Sequence, residues 1–130
     1  MIIDSSALIA VLASEDDGEA YLRAMLADPA PKVPAPAVVE TGMVASRLPD
    51  GGWELDRLLQ HLDAEIVSFT AHHAVLARQA FSRYGRDSGH RAGLNFGDCL
   101  VYAVATAERD ALLFKGNDFA RTDITPVLLG

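Results

Sequence analysis

Short apolar runs alternate along this chain with longer stretches whose apolar residues recur at helical spacing. Met1–Ile3 is an apolar run ending at Asp4 and reads as a buried strand. Ser5 or Ser6 can cap a helix through Leu12, because a serine oxygen accepts from the free amides of a first turn. Asp16 and Asp17 introduce a second helix to about Ala27, with Ala20, Leu22, Met25 and Leu26 as its apolar surface. Pro29, Pro31, Pro34 and Pro36 break it and leave Lys32–Val33 as a very short strand. Pro36 suits the first turn of a further helix, where its missing N–H costs nothing, and that helix extends to about Leu48. Gly51–Gly52 reads as a turn and Trp53–Leu62 as a helix, on the spacing of Trp53, Leu55, Leu58, Leu59 and Leu62. Glu65–Val67 reads as a strand, and Thr70 caps a helix from Ala71 to about Tyr84. Gly85–Gly93 (GRDSGHRAG) has no apolar periodicity and reads as a loop. Asn95 or Phe96 opens a nearly all-apolar helix to about Arg109. Leu112–Phe114 follows as a strand, Gly116–Asn117 as a turn, Asp118–Arg121 as one helical turn and Pro126–Leu129 as a last edge strand.

Short strands separated by helices imply an α/β fold, with a parallel sheet covered by helices on both faces. Ligands gather at the carboxyl ends of the strands in such sheets, which directs attention to the acids after Ile3 and Phe114. No repeat, low-complexity tract or dividing linker interrupts residues 1–130, so a single domain is expected. With 50% hydrophobic and 22% charged residues, the composition is that of a globular chain and excludes disorder. Cys99 is the single cysteine and cannot form an internal disulfide, which favours a reducing, intracellular setting. Asp4 is the first charge, so no basic segment precedes the apolar start as a secretory signal requires. No apolar run approaches the ~20 residues that cross a bilayer. A soluble, cytoplasmic protein without membrane contact is expected.

The net charge of −7 changes the picture of possible partners. It argues against a general nucleic-acid coat, since phosphate binding favours basic proteins. It does not exclude a nuclease, because metal-binding carboxylates lose their negative charge to the cations they hold. Arg83, Arg86, His90 and Arg91 also cluster in one stretch, opposed there only by Asp87.

Four acids stand out, each with a plainer structural alternative. Asp4 lies between a strand and a helix start, where it is either a sheet-edge functional group or a turn and capping residue. Glu40 projects from the Pro36–Leu48 helix between Met43 and Val44, on a largely apolar surface; the alternative is a glutamate reaching solvent. Asp98 opens the apolar NFGDCLVYAVATAER helix, where stabilising the helix N-terminus is the alternative. An acid opening so apolar a helix nevertheless favours function. Asp118 follows the Gly116–Asn117 turn and could simply cap the next one. Converging carboxylates repel, and some hold protons unless a cation neutralises them. A hard cation such as Mg²⁺ or Mn²⁺, bound by carboxylate and water oxygens, suits such a set and supports phosphoryl-transfer chemistry.

Other constellations are poor. His61, His72, His73 and His90 offer no zinc spacing, and Cys99 has no evident histidine partner. No glycine-rich phosphate loop occurs. An aspartyl-phosphate site needs a second aspartate where Ser6 stands. Trp53 and the Leu55, Leu58, Leu59, Leu62 stripe read as packing or partner surface.

The opening MIIDSSAL, the glutamate in AVVETGMV, the run HRAGLNFGDCLVYAVA and the closing LLFKGNDF together resemble PIN-domain ribonucleases, and among them the VapC toxins of bacterial VapBC toxin–antitoxin pairs. The resemblance spans nearly the whole chain. It implies a three-layer α/β/α sandwich on a short, mostly parallel sheet, with Mg²⁺ or Mn²⁺ at an acidic pocket and endonucleolytic cleavage of RNA. Family acids fall on Asp4, Glu40 and Asp98, with a more variable fourth on Asp118. A hydroxyl two residues after the first aspartate falls on Ser6, as a water-orienting or supporting group, while Asn117 occupies a variable position. The resemblance also implies a homodimer and a cognate VapB antitoxin, which lays a C-terminal segment across the toxin groove and often presents a basic residue to the acids. Arg83, Arg86 and Arg91 are candidate contacts to RNA phosphate, or else an ordinary solvated loop. Two other functions compete with the enzyme. One is a noncatalytic PIN-like module binding RNA or a protein, and the other is a metal-dependent nuclease acting on DNA.

Overall fold

A computed structural model describes all residues, 1–130. Four strands form one sheet: β1 (Ile2–Ile3), β2 (Lys32–Pro34), β3 (Glu65–Val67) and β4 (Leu112–Leu113). They lie in the order β3-β2-β1-β4, and every pairing is parallel. Ile2 is level with Lys32 on one side and Leu112 on the other, which makes β1 central. Neighbouring strand residues point to opposite faces, and Ile2, Ile3, Leu112 and Leu113 are all fully buried. Both faces of the central strands are therefore covered by helices, giving the expected three layers. A single contiguous core of 25 buried residues unites sheet and helices.

The helices are α1 (Ser5–Leu12), α2 (Gly18–Ala27), α3 (Ala35–Ala45), α4 (Gly51–His61), α5 (Ala71–Tyr84) and α6 (Phe96–Glu108), with a single 3₁₀ turn at Phe119–Arg121. None is long and apolar enough to cross a membrane. Helix α6 runs through the core, burying Cys99 and Val101 through Ala105. The Cys99 thiol is pushed up to about 11 by burial and, second, by the charge of Asp98, so it stays protonated at neutral pH.

Four local expectations are corrected. Asp4, rather than a serine, caps α1: its Oδ2 accepts from the Ser6 amide at 3.0 Å. Helix α3 stops at Ala45 instead of reaching Leu48. Gly51 and Gly52 belong to α4, and the turn lies before them, with Asp50 left-handed at φ 54°. A Cβ on Gly51 would meet the Ala45 carbonyl oxygen at 1.9 Å, so this glycine marks a close approach of α4 to α3. The closing segment makes only one parallel bridge, Leu112 to Pro126. Pro126 has no N–H to donate and β4 has only two residues to pair with, which limits the ladder to that point.

Order along the sheet reverses once. The chain steps outward from β1 to β2 to β3, then crosses to place β4 on the other side of β1. The carboxyl ends of β1 and β4 flank this switch point, where parallel α/β sheets form their crevices.

Candidate active site

Asp4 emerges from β1 at the switch point, and its amide donates to the Leu113 carbonyl at 2.9 Å, fixing it to the end of β4. Its side chain is only 5% exposed. The Oδ2 atom accepts from the Ser6 amide and from the Ser6 hydroxyl at 2.5 Å, while Ser6 Oγ itself accepts the Lys115 amide at 2.9 Å. A short relay from β4 through Ser6 thus sets the orientation of Asp4. Burial raises the pKa of Asp4; the Ser6 hydrogen bonds oppose the rise and the charge of Glu40 adds to it.

Asp98 occupies the third position of α6 and forms a reciprocal cap with Asn95. Asn95 Oδ1 accepts the Asp98 amide at 2.8 Å, and Asp98 Oδ2 accepts the Asn95 amide at 3.1 Å. Its pKa is pushed up to about 6, chiefly by burial, and further by the charges of Asp4, Asp118 and Glu40, against the stabilising Asn95 amide. Those charges bring all four predicted acids into one electrostatic neighbourhood. Asp4 and Asp98 each engage a helix N-terminus with one oxygen, and that role leaves the other available.

Glu40 reaches the site from α3. Residues Ala37, Thr41 and Ala45 turn one face of that helix into the core, and Glu40 lies off this face, exposed. Its Oε1 accepts from the Ser5 hydroxyl at 3.0 Å. Its Oε2 lies over the first turn of α6, where a Cβ on Gly97 would come within 2.4 Å. Asp118 precedes the 3₁₀ turn, is exposed, and makes no capping hydrogen bond, so the capping alternative does not account for it. The second oxygens of Asp4, Glu40 and Asp98 take no hydrogen bond from protein, and no buried side-chain polar atom lacks a partner. Each of those oxygens is thus left without a protein donor.

No lysine or arginine pairs with any of the four. Lys115, the nearest cation in sequence to the end of β4, is held instead by Glu15 at 2.6 Å and Asp17 at 2.9 Å. As they stand, no three acids, histidines or cysteines are gathered closely enough to enclose a metal ion. An all-oxygen set with free oxygens nevertheless suits Mg²⁺, which takes one or two carboxylates and keeps several waters, better than a cation needing a full protein cage.

The structure separates the three arginines. Arg83 stacks over Tyr84 at 4.7 Å and approaches Asp123 at 3.8 Å, whereas Arg86 and Arg91 are exposed without ion pairs. Arg121 donates to the Arg91 carbonyl at 3.1 Å and ties the loop to the turn that follows Asp118. Sequence reasoning overlooked Ser5 and Gly97 as neighbours of Glu40, and Arg121 as an anchor. A glycine inside the first turn of an otherwise apolar helix was the available signal for Gly97. A groove of about 1370 Å³ lies between α5 and α6 around Phe69, Val75, Phe81, Phe96 and Leu100; no carboxylate lines it.

Comparison with known proteins agrees with this architecture. The family model described as PIN domain matches residues 1–124. Ribonuclease VapC28 of Mycobacterium tuberculosis is 43% identical over 130 residues, covering 98% of each chain. Ribonuclease VapC of Mycolicibacterium smegmatis is 43% identical over 129 residues, covering 98% of this chain and 99% of its own. Among solved structures, Mycobacterium tuberculosis VapC20, described as a sarcin-ricin loop cleaving toxin, superposes with a TM-score of 0.79 at 16% identity over 97% of each chain. A toxin–antitoxin complex from Klebsiella pneumoniae superposes at 0.69 with 18% identity, over 92% of this chain and 89% of that one.

Proposed function

The chain belongs to the PIN-domain family, among its VapC ribonucleases, and we propose that it is the toxin of a toxin–antitoxin pair, a Mg²⁺-dependent endoribonuclease. The observation that carries the metal-dependent reading is Asp98, raised to about 6 by burial and by three acids that no basic side chain offsets. Such a set remains ionised and ordered at neutral pH when a cation joins it.

Asp4 and Asp98 would hold the ion, with Glu40 and Asp118 completing the site; Mn²⁺ is the expected substitute. When bound, the cation lowers the pKa of a water and stabilises charge on the phosphate. The chain's own part is to fix oxygens. Ser6 holds one oxygen of Asp4 and Asn95 one oxygen of Asp98, so that each presents its other oxygen in a set direction. The free Oε2 of Glu40 is the atom we assign to accept a proton from the attacking water, while the 3′ oxygen of the RNA leaves opposite and takes a proton from solvent. Arg86 and Arg91 are the proposed contacts to RNA phosphate; the pairing of Arg83 with Asp123 makes it the weaker candidate.

A VapB-type antitoxin is the proposed partner. A basic residue of its peptide would answer the acids, and Val39 and Met43 flank Glu40 with exposed apolar surface for the rest of it. The chain is proposed to act as a homodimer, which sedimentation would test. The deciding experiment incubates labelled RNA and DNA of matched sequence with purified protein, with Mg²⁺ and with excess chelator. RNA cleavage that needs Mg²⁺ and disappears in Asp4→Asn, at unchanged circular dichroism, is expected. Full activity in chelator or in the variant overturns the metal assignment. RNA binding without cut ends would identify a noncatalytic module, and preference for DNA a different nuclease.

A further inference from the structure

Resting on the ribonuclease reading above, we propose that Gly97 is a positioning residue: with Ser5, it forms a two-sided clamp that sets the carboxylate of Glu40.

Asp4 and Asp98 are oriented by the helices they cap, but Glu40 has no such device. It projects from an exposed position on α3, and a free glutamate side chain has many rotamers to lose. Two contacts restrict it. Ser5, buried in the first turn of α1 beside Asp4, donates to Oε1 at 3.0 Å. On the other side, Oε2 rests where a side chain at position 97 would begin. A Cβ there would meet Oε2 at 2.4 Å, Glu40 Cδ at 3.3 Å and Asn95 Oδ1 at 3.6 Å.

Backbone geometry gives no other reason for glycine here. Gly97 is absent from the positive-φ positions, which among glycines are Gly89, Gly93 and Gly116. It lies inside α6, where alanine is the better helix former. What glycine supplies is space, and Glu40 fills it. The blocking atoms belong to the end of a flexible side chain, so an alanine leaves the fold intact and moves the carboxylate away from Asp98. Serine and glycine thus act from two different helices on a third, and neither touches the substrate.

The test compares Gly97→Ala, Ser5→Ala, Ser5→Thr, Glu40→Gln and the double variant Gly97→Ala/Glu40→Gln in the full chain. Thermal midpoints in chelator, Mn²⁺ affinity by calorimetry, and kcat and KM on RNA are measured for each. Gly97→Ala is expected to match or exceed the wild-type midpoint, while Mn²⁺ affinity and kcat fall on the order of tenfold, as for groups that orient metal ligands. KM for RNA stays within about twofold, because RNA contacts are made elsewhere. Ser5→Ala should show the same pattern and Ser5→Thr, which keeps the hydroxyl, should restore it. The double variant should be no worse than Glu40→Gln alone, since Gly97 acts only through that carboxylate. Multiplying losses, a lowered midpoint in Gly97→Ala, or unchanged Mn²⁺ affinity and kcat would each overturn the clamp. If Gly97→Ala is fully active while Glu40→Gln is dead, the clamp fails and the active-site reading stands. If Glu40→Gln is itself fully active, the assignment of Glu40 fails, and the clamp with it.

Discussion

Asp98→Asn should make the metal-free protein more stable at pH 7 while removing its activity. Burial and three neighbouring acids raise Asp98 from 3.8 to about 6, so the folded chain holds this proton more tightly than the unfolded one. At about 1.36 kcal/mol per pH unit, the difference would reach about 3 kcal/mol; the side chain is partly open to water, and screening leaves about 1–2 kcal/mol. A folded state that binds more protons gains stability as pH falls, so the metal-free protein should stabilise from pH 7 through the titration near 6 and on down to the unfolded value of 3.8. Asp4, raised in the same direction, adds to this trend. Asp17 works the opposite way, held low by Lys115, but its contribution is lost only below its ordinary value of 3.8. Asparagine keeps an acceptor for the Asn95 amide, so the cap survives. Urea unfolding in chelator at several pH values measures the effect. The variant should exceed wild type by about 1–2 kcal/mol at pH 7, by roughly half of that at pH 5, and converge with it only near the unfolded carboxyl value of 3.8. Wild-type stability that is flat or falls from pH 7 to 5, or a variant no more stable at pH 7, refutes the reasoning.

Mn²⁺ should raise the wild-type melting temperature more at pH 7 than at pH 5, where protons compete for the same oxygens; calorimetric scans at both values check this. Arg86→Ala and Arg91→Ala should each raise KM for RNA and lower the salt dependence of binding by about one counterion, measured by titration across ionic strengths. Tyr102→Phe removes the hydroxyl that donates to Asp123 Oδ1 at 2.5 Å and should cost about 1–2 kcal/mol in urea unfolding, with cleavage unchanged.

Apolar runs and caps made most of the fold legible, because each is a local signal. The strands at Ile2, Lys32, Glu65 and Leu112 and the helices between them fall where periodicity put them. Gly51–Gly52 was misjudged because a glycine pair signals either a turn or a close helix contact, and the Ala45 carbonyl that decides between them lies on another helix. The acids show the same division. Asp4 and Asp98 sit beside element boundaries, so their caps were within reach of sequence reasoning. The environment of Glu40 was not, since Ser5 lies 35 residues away in the chain and Gly97 lies on a third element. Lys115 is not a counterion to the acids, and only the structure shows it engaged by Glu15 and Asp17.

The sheet order has a consequence for biosynthesis. Strand β1, which leads into Asp4, pairs on one side with β4, so Ile2 and Ile3 wait for Leu112 and Leu113 before the central strand is complete. Asp98 and Asp118 also arrive late, and pairing so distant in sequence forms after local helices. A nascent chain on the ribosome therefore lacks the assembled acids until Asp118 has emerged. Under the proposed function, RNA cleavage would begin only once β4 has closed the sheet, and the antitoxin would meet an assembled surface.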